Sequence, residues 1–134
     1  MKSVTSTLFV LSFFLAVVGC TKDKRERPSA SLKTDESYTY ADATTDTSTL
    51  VKFGFVADKT HNPLKIFNVS VVFDGNPTVY NVESFTLSSD QATHFERDLS
   101  IKTHPTASIE KWIFTVTDAD GNSAQKAVTL TVKE

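Results

Sequence analysis

The stretch Ile109–Lys133, IEKWIFTVTDADGNSAQKAVTLTVK, decides the fold class, because apolar and polar residues alternate on both sides of a turn-forming centre. Successive side chains of a strand point to opposite faces, so this alternation predicts two strands with one buried face each. The Asp-Gly pair at 120–121 suits the tight turn of a hairpin, where a positive φ is needed. The residues predicted to face inward are Trp112, Phe114, Val116, Val128, Leu130 and Val132.

The same two-residue period recurs toward the N-terminus in three longer stretches and two shorter ones. They cover residues 49–58, 64–73, 78–82, 84–87 and 93–103. The turn-forming sequences KTHNP and DGNP separate the first three, and no window combines a helical period with helix caps. About seven short strands therefore predict an all-β fold, a single antiparallel β-sandwich.

The alternation also predicts which side chains of these strands form the core. The inward positions are Val51, Phe53, Phe55, Ala57, Phe67, Val69, Val71, Phe73, Phe95, Leu99 and Ile101. Arg97 falls on the apolar face of its strand. A long charged side chain keeps its head in water, so Arg97 is predicted to lie near a sheet edge.

The segment from Trp112 to Val132 resembles the final hairpin of polycystic-kidney-disease-type and related immunoglobulin-like modules of bacterial surface proteins. In those modules an FTVTDxxG sequence leads through a tight turn into a last strand of alternating Val and Thr, as it does here. The resemblance implies an immunoglobulin-like sandwich without the disulfide, and the chain has a single cysteine. It also implies a non-catalytic binding or scaffolding module, acting through loops or an exposed sheet face.

The first twenty residues carry a separate resemblance. Lys2 precedes an apolar run, Leu8–Val18, which has the length of a signal-peptide core and is too short to span a bilayer comfortably. The VVGC that ends at Cys20 resembles the lipobox of bacterial lipoproteins. This resemblance implies a diacylglyceryl group on the Cys20 thiol and cleavage between Gly19 and Cys20; two acyl chains anchor a protein stably. The alternative is an ordinary signal peptide with a coincidental cysteine.

Three regions are therefore expected along the chain. They are a lipoprotein signal peptide at 1–19, the lipidated Cys20 with a flexible polar tether at 20–48, and an immunoglobulin-like sandwich at 49–134. The tether is rich in Thr, Ser, Asp and Lys and has too little apolar surface to offset chain entropy. The alternative is that the sandwich already begins with an edge strand near residue 37. These regions predict a lipid-anchored protein of the bacterial outer membrane, on its periplasmic or its surface face.

The composition excludes several functional classes. A net charge of −2 and a pI of about 5.9 give no electrostatic case for nucleic-acid binding. A single cysteine excludes a disulfide framework and a Cys-rich zinc site. No serine lies in a G-x-S-x-G elbow, and the four glycines form no phosphate loop. We therefore expect no catalytic residue; a small hydrolase in which carboxylates such as Glu83 and Glu110 meet is the least favoured alternative.

The sequence TDADGNS is the best candidate for a ligand site, since Asp118, Asp120 and Asn122 alternate around one glycine. Oxygen ligands on a tight loop suit calcium, although the opening acid and the closing Glu of an EF-hand loop are missing. A distant acid such as Asp58 or Asp74 would have to complete the site. Calcium would make the protein a stiffened adhesion or glycan-binding accessory of a surface complex. The alternative is a plain hairpin turn without a cofactor.

Two further sets of polar and aromatic residues are weaker candidates. His94 and Glu96 share one strand face, which suits a metal or an acid-base pair, but solvent-facing polar residues are the simpler interpretation. Tyr38, Tyr40 and Tyr80 are expected to be exposed aromatics that stack on a sugar or a partner protein, or that pack at the rim. The predicted partners are the membrane, through the lipid anchor, and a protein or glycan whose identity the sequence leaves open.

Overall fold

The computed structural model describes residues 26–134, which form a sandwich of two β-sheets. Its strands are β1 (Ser29–Leu32), β2 (Ala43–Asp46), β3 (Leu50–Asp58), β4 (Leu64–Phe73), β5 (Tyr80–Thr86), β6 (His94–Lys102), β7 (Ser108–Asp118) and β8 (Ser123–Lys133). One sheet has the order β1-β3-β6 and the other β2-β8-β7-β4-β5. The all-β sandwich expected from the alternating pattern is confirmed.

The core contains the inward residues that the alternation predicted, together with Leu64 and Leu87. All of them are buried except Phe73 and Leu99, which are partly buried and pack against the core. Its centre is an array of aromatic rings: the ring centroids of Phe53 and Phe114 are 5.2 Å apart, and those of Phe55 and Phe67 are 5.1 Å apart. Full burial of such a side chain contributes about 1.5–3 kcal/mol, so this array is a major source of the stability of the sandwich.

Arg97 lies at the side of the sandwich where the edge strands β5 and β6 face each other across the two sheets. Its guanidinium pairs with Glu83 of β5, with 3.3 Å between Arg97 Nε and Glu83 Oε2. Beneath this pair, the rings of Phe85 and Phe95 meet edge to face at 6.0 Å. The predicted edge position of Arg97 is confirmed, and the ion pair covers the apolar contact between the sheets.

The predicted flexible tether is wrong for two segments within residues 20–48. β1 pairs antiparallel with β3, and β2 pairs with β8 in the one parallel pairing among the described strands. Few apolar residues suffice for this, because the backbone of an added edge strand is satisfied by its neighbour. Ala30, Leu32 and Ala43 supply the remaining contact by packing against the core.

The chain between β1 and β2 continues along the edge of β3, and its side chains cover Gly54 on the outer face of the three-stranded sheet. Lys33 N donates to Gly54 O at 2.8 Å, and Thr39 N donates to Lys52 O at 2.8 Å. An added Cβ on Gly54 would lie 2.7 Å from Lys33 Cδ and 2.8 Å from Tyr38 Cε1. Residues 37–41 form no strand here, so the predicted edge strand near residue 37 is wrong. The two backbone hydrogen bonds hold the segment at the edge of β3, and Lys33 and Tyr38 pack on Gly54.

The two ends of the sandwich differ in their relation to the N-terminal segment. At the entry end, β1 begins beside the last residue of β3, near the 59–63 loop and the β7–β8 turn. Thr60 Oγ1 donates to Arg27 O at 2.8 Å, and Pro28 is buried, so the chain is held from Arg27 onward. The connections 47–49, 74–79 and 103–107 lie at the opposite end, which we call the distal end.

The predicted signal peptide at 1–19, the cleavage site after Gly19 and the lipidation of Cys20 lie outside the described residues. Within residues 26–134, no helix has the length and apolar character needed to cross a membrane. The only helical element in this part of the chain is a 3₁₀ turn at Ser89–Gln91.

Candidate functional site

A cavity of about 510 Å³ opens at the distal end of the sandwich. This volume lies in the range of sites that hold small molecules. Its lining is mostly apolar and aromatic, with polar groups at the mouth and floor. The lining residues are Ser48, Val71, Phe73, Val82, Lys102, Thr103, His104, Pro105, Glu110 and Trp112.

The cavity walls follow from the strand register. In the β4–β7 pairing, Val71 lies opposite Trp112 and Phe73 opposite Glu110, so four inward side chains project from adjacent positions. The 103–107 connection crosses the end of the strands and places the ring of His104 5.8 Å from that of Phe73. The aromatic wall is therefore built mainly on strands, which hold side chains in fixed positions.

Glu110 is the unusual residue of this site, because only about 1% of its surface is exposed. One carboxylate oxygen, Oε1, accepts from His104 N at 2.7 Å, and the other, Oε2, accepts from Trp112 Nε1 at 2.9 Å. Both donors are neutral, and no ion pair of Glu110 occurs among the described residues. The floor of the cavity thus contains a buried carboxylate without a cationic partner.

Sequence reasoning did not identify Glu110 as an inward residue, although the signal was present. Glu110 precedes Trp112, Phe114 and Val116 in the same two-residue period, and all four are buried. A carboxylate in phase with an apolar strand face is an exception to the usual exposure of Glu. Such an exception, read from the sequence, would have predicted a buried polar site at the start of β7.

Exposed apolar side chains are concentrated at the distal end. They include Leu50, 74% exposed, Val79, 58%, Tyr80, 51%, Ile109, 49%, and Val82, 45%. Each lies near the distal end of a strand, and the ring of Tyr80 lies 5.8 Å from that of Phe73 in the cavity wall. The predicted exposure of Tyr80 and Tyr40 is confirmed, whereas Tyr38 is half-buried. Val82 lines the cavity and Tyr80 lies beside its wall, and exposed apolar surface of this kind is typical of an interaction site.

The calcium candidate lies at the other end of the sandwich, in the β7–β8 turn. Asp118 is buried, with 2% of its surface exposed. Its Oδ1 accepts from the backbone N–H groups of Asp120 and Asn122, both at 2.9 Å. Its Oδ2 accepts from the side-chain amides of Asn122 at 3.0 Å and Asn62 at 3.3 Å. The arrangement is that of a turn held together by one carboxylate.

These contacts decide the charge of Asp118. Burial acts to raise the pKa of its carboxyl, but hydrogen bonds from Asn122, Asn62 and Asp120 outweigh burial and lower the pKa below its usual range.

Across residues 26–134, no group of three His, Cys, Asp or Glu is placed to hold a metal ion. Asp58 pairs with His94, and Asp74 accepts from Ile109 N at 2.7 Å. Calcium at Asp118, Asp120 and Asn122 stays a prediction.

A network of charged side chains covers the outer face of the three-stranded sheet. His94 Nδ1 lies 2.6 Å from Asp58 Oδ1, and His94 Nε2 lies 3.0 Å from Glu96 Oε1. Asp58, and then Glu96, raise the pKa of His94 above its ordinary value. Tyr38, and then Lys33, lower the pKa of Asp98 to about 2. The predicted shared face of His94 and Glu96 is confirmed, and it serves cross-strand pairing in this structure.

The two carboxylates named for the hydrolase alternative are not brought together. Glu83 lies in register with Val69 of β4, whereas Glu110 lies in register with Phe73, four residues further along that strand. Four residues of a strand span roughly 13 Å. Glu83 pairs with Arg97, and Glu110 accepts from His104 and Trp112, so each carboxylate has its own environment.

Comparisons with known proteins find similar chains among solved structures. No family model matches the chain, and no curated protein matches it. Among solved structures, the chain is similar to a family 123 glycoside hydrolase from Clostridium perfringens, described for its hydrolysis of glycolipid glycans, with 9% sequence identity and a TM-score of 0.49. The likeness covers 80% of this chain and 27% of that one, so the chain spans about a quarter of the hydrolase's length.

Proposed function

We propose that this protein is a lipid-anchored binding module of the bacterial cell envelope, non-catalytic, which engages its ligand or partner at the distal end. The observation that carries the proposal is the apolar cavity at that end, with the exposed Val82 in its lining and the exposed Tyr80 beside its wall. A concave, mostly apolar site with a few polar groups is the usual form of a binding site. The immunoglobulin-like character implied by the last hairpin fits a module of this kind.

The position of the anchor supports the choice of the distal end. Five residues lie between Cys20 and Glu26, which makes six steps along the chain; a fully extended chain covers at most about 3.6 Å per step, or roughly 22 Å in total. The chain is held at the entry end from Arg27 onward. A lipid on Cys20 would therefore keep the entry end close to the membrane. The distal cavity would then face away from the lipid, toward other molecules.

Site-specific photo-crosslinking in intact cells tests the proposal. A photoreactive amino acid replaces Val82, at the cavity, or Asp120, in the turn at the entry end. We expect a discrete adduct from position 82 that is absent from position 120, because only the first lies beside the binding surface. Both positions are on the surface or at the cavity mouth, so both variants should fold, which a thermal melt verifies.

The outcome at the two positions is decisive. Adducts of equal pattern from both positions, or from position 120 alone, would contradict binding at the distal end. An adduct specific to position 82 identifies the bound species by its mass. Protease treatment of intact and permeabilised cells, carried out in parallel, assigns the module to the surface or to the periplasmic face.

A further inference from the structure

We infer that the distal cavity takes a small organic cation, a ligand with an ammonium group attached to an apolar or aromatic body. This inference rests on the proposed binding function and names the chemistry of its ligand. It starts from Glu110, the buried carboxylate at the floor of the cavity. The apolar body of the ligand would pack against Val71, Phe73 and Trp112.

The charge of Glu110 is not balanced within the site. A carboxylate offers about four lone-pair positions, and His104 N and Trp112 Nε1 occupy two of them. Both donors are neutral, so the carboxylate is solvated in part without being neutralised. Removing a charge from water costs free energy, and a nearby opposite charge offsets part of that cost. A cation in the cavity would supply that charge without displacing either hydrogen bond.

The walls favour an organic cation over a hydrated metal ion. Phe73 and Trp112 line the cavity, and aromatic rings attract ammonium groups through their negative faces. Val71 and Val82 add aliphatic surface. A metal ion prefers several oxygen ligands, whereas the only carboxylate of the lining is Glu110. The combination of one carboxylate with aromatic walls is therefore suited to an alkyl- or arylammonium group.

Lys102 is the opposing feature, because its positive charge also lines the cavity and would favour an anion. Lys102 is an exposed residue, whereas Glu110 is buried. Water and salt screen an exposed charge strongly, and a buried charge acts through a medium of lower effective dielectric constant. The field inside the cavity is therefore set mainly by Glu110, and a cation is favoured over an anion.

Binding of three matched probes to the purified full-length protein tests the inference. The probes are phenethylamine, which is a cation at neutral pH, the neutral 2-phenylethanol, and the anion 3-phenylpropionate. Trp112 is the only tryptophan of the chain, so its fluorescence reports directly on the cavity wall. We expect phenethylamine to bind at least tenfold more tightly than 2-phenylethanol, and 3-phenylpropionate to bind most weakly.

Two variants link the preference to its cause. Glu110→Gln keeps the size of the side chain and removes its charge, so the preference for phenethylamine should fall to about twofold or less. Glu36→Gln, an exposed position outside the cavity, is the matched control and should retain the full preference. If Glu110→Gln does not fold, the ranking of the three probes on the unmodified protein still decides the question.

Each other result overturns the inference in a recognisable way. Equal binding of phenethylamine and 2-phenylethanol, or tighter binding of 3-phenylpropionate, would refute a cation site while leaving a binding cavity. A preference that survives in Glu110→Gln would refute the role of this carboxylate. If no probe changes the Trp112 fluorescence at millimolar concentration, the small-cation inference fails, and crosslinks from position 82 would then still support the proposed binding module.

Discussion

Replacement of Asp118 by Ala should be among the most damaging single changes outside the apolar core. The carboxylate accepts four hydrogen bonds, from two backbone N–H groups of the turn and from two side-chain amides. A hydrogen bond to a charged group contributes about 1.5–3 kcal/mol, but such contributions are not additive, and the turn can recover water contacts. We expect a loss of about 2–4 kcal/mol in the free energy of unfolding.

Thermal and urea unfolding, followed by circular dichroism, measure this loss. For a domain of this size, the loss corresponds to a fall of roughly 10–20 °C in Tm. Asp120→Ala is the matched control, because Asp120 contributes its backbone N–H to the turn and its side chain is exposed. Asp118→Asn should fall between the two, since one amide oxygen still accepts from the backbone.

The pH dependence gives an independent check with a definite sign. The pKa of Asp118 is lowered in the folded protein, so its stabilisation is present above the unfolded value of about 3.9 and is lost as pH falls through the folded pKa. The difference between wild type and Asp118→Ala should therefore shrink below about pH 4. A loss under 0.5 kcal/mol at neutral pH would refute the turn argument. A Tm that rises with calcium in wild type and not in Asp118→Ala would instead support the calcium prediction.

Three further predictions address the outer face and the anchor. Gly54→Ala should destabilise by about 1–3 kcal/mol in urea unfolding, because its Cβ would overlap the side chains of Lys33 and Tyr38; a change under 0.5 kcal/mol would show that these side chains move aside freely. The pKa of His94, measured by NMR titration, should lie above its usual value of about 6.5. The stabilisation from its ion pairs is therefore fully present below the usual pKa and is lost as the pH rises through the folded pKa. Asp58→Asn should lower that pKa, and an unchanged value would contradict the assignment. Cys20→Ala should release the protein from membranes or leave it uncleaved; a processed, membrane-bound variant would refute the lipobox interpretation.

Alternation within single strands was enough to predict most of the fold. Phe53, Phe114 and Leu130 are buried as expected. A strand with one solvent-exposed face and one buried face must alternate polar and apolar residues. The edge position of Arg97 also follows from the local pattern. Arg97 lies on the apolar face of its strand, and its charge must still reach water, which is possible near an edge. These features follow from local sequence and from the cost of burying a charge.

The features that sequence reasoning missed depend on pairing between distant residues. β1 and β2 contain little apolar surface, and their backbone hydrogen bonds to β3 and β8 appear only when the sheets are assembled. The cavity likewise needs Phe73, His104 and Glu110 from three parts of the chain. The local pattern gave the inward positions of Val71, Phe73 and Trp112, and the inward phase of Glu110 was the further signal in it that pointed to a polar site.

The parallel pairing of β2 with β8 has a consequence for how the chain acquires its structure. Thr44 pairs with Thr131, far along the chain, and β8 lies between β2 and β7 in the sheet. Pairings between such distant segments are slow to form, because a long loop must close before any contact is gained. During synthesis, β2 emerges well before its neighbour β8 and has no partner until residues 123–133 follow. Completion of the larger sheet is therefore a late event. Until then, the polar character of residues 43–46 would limit association of the unpaired β2 with other chains.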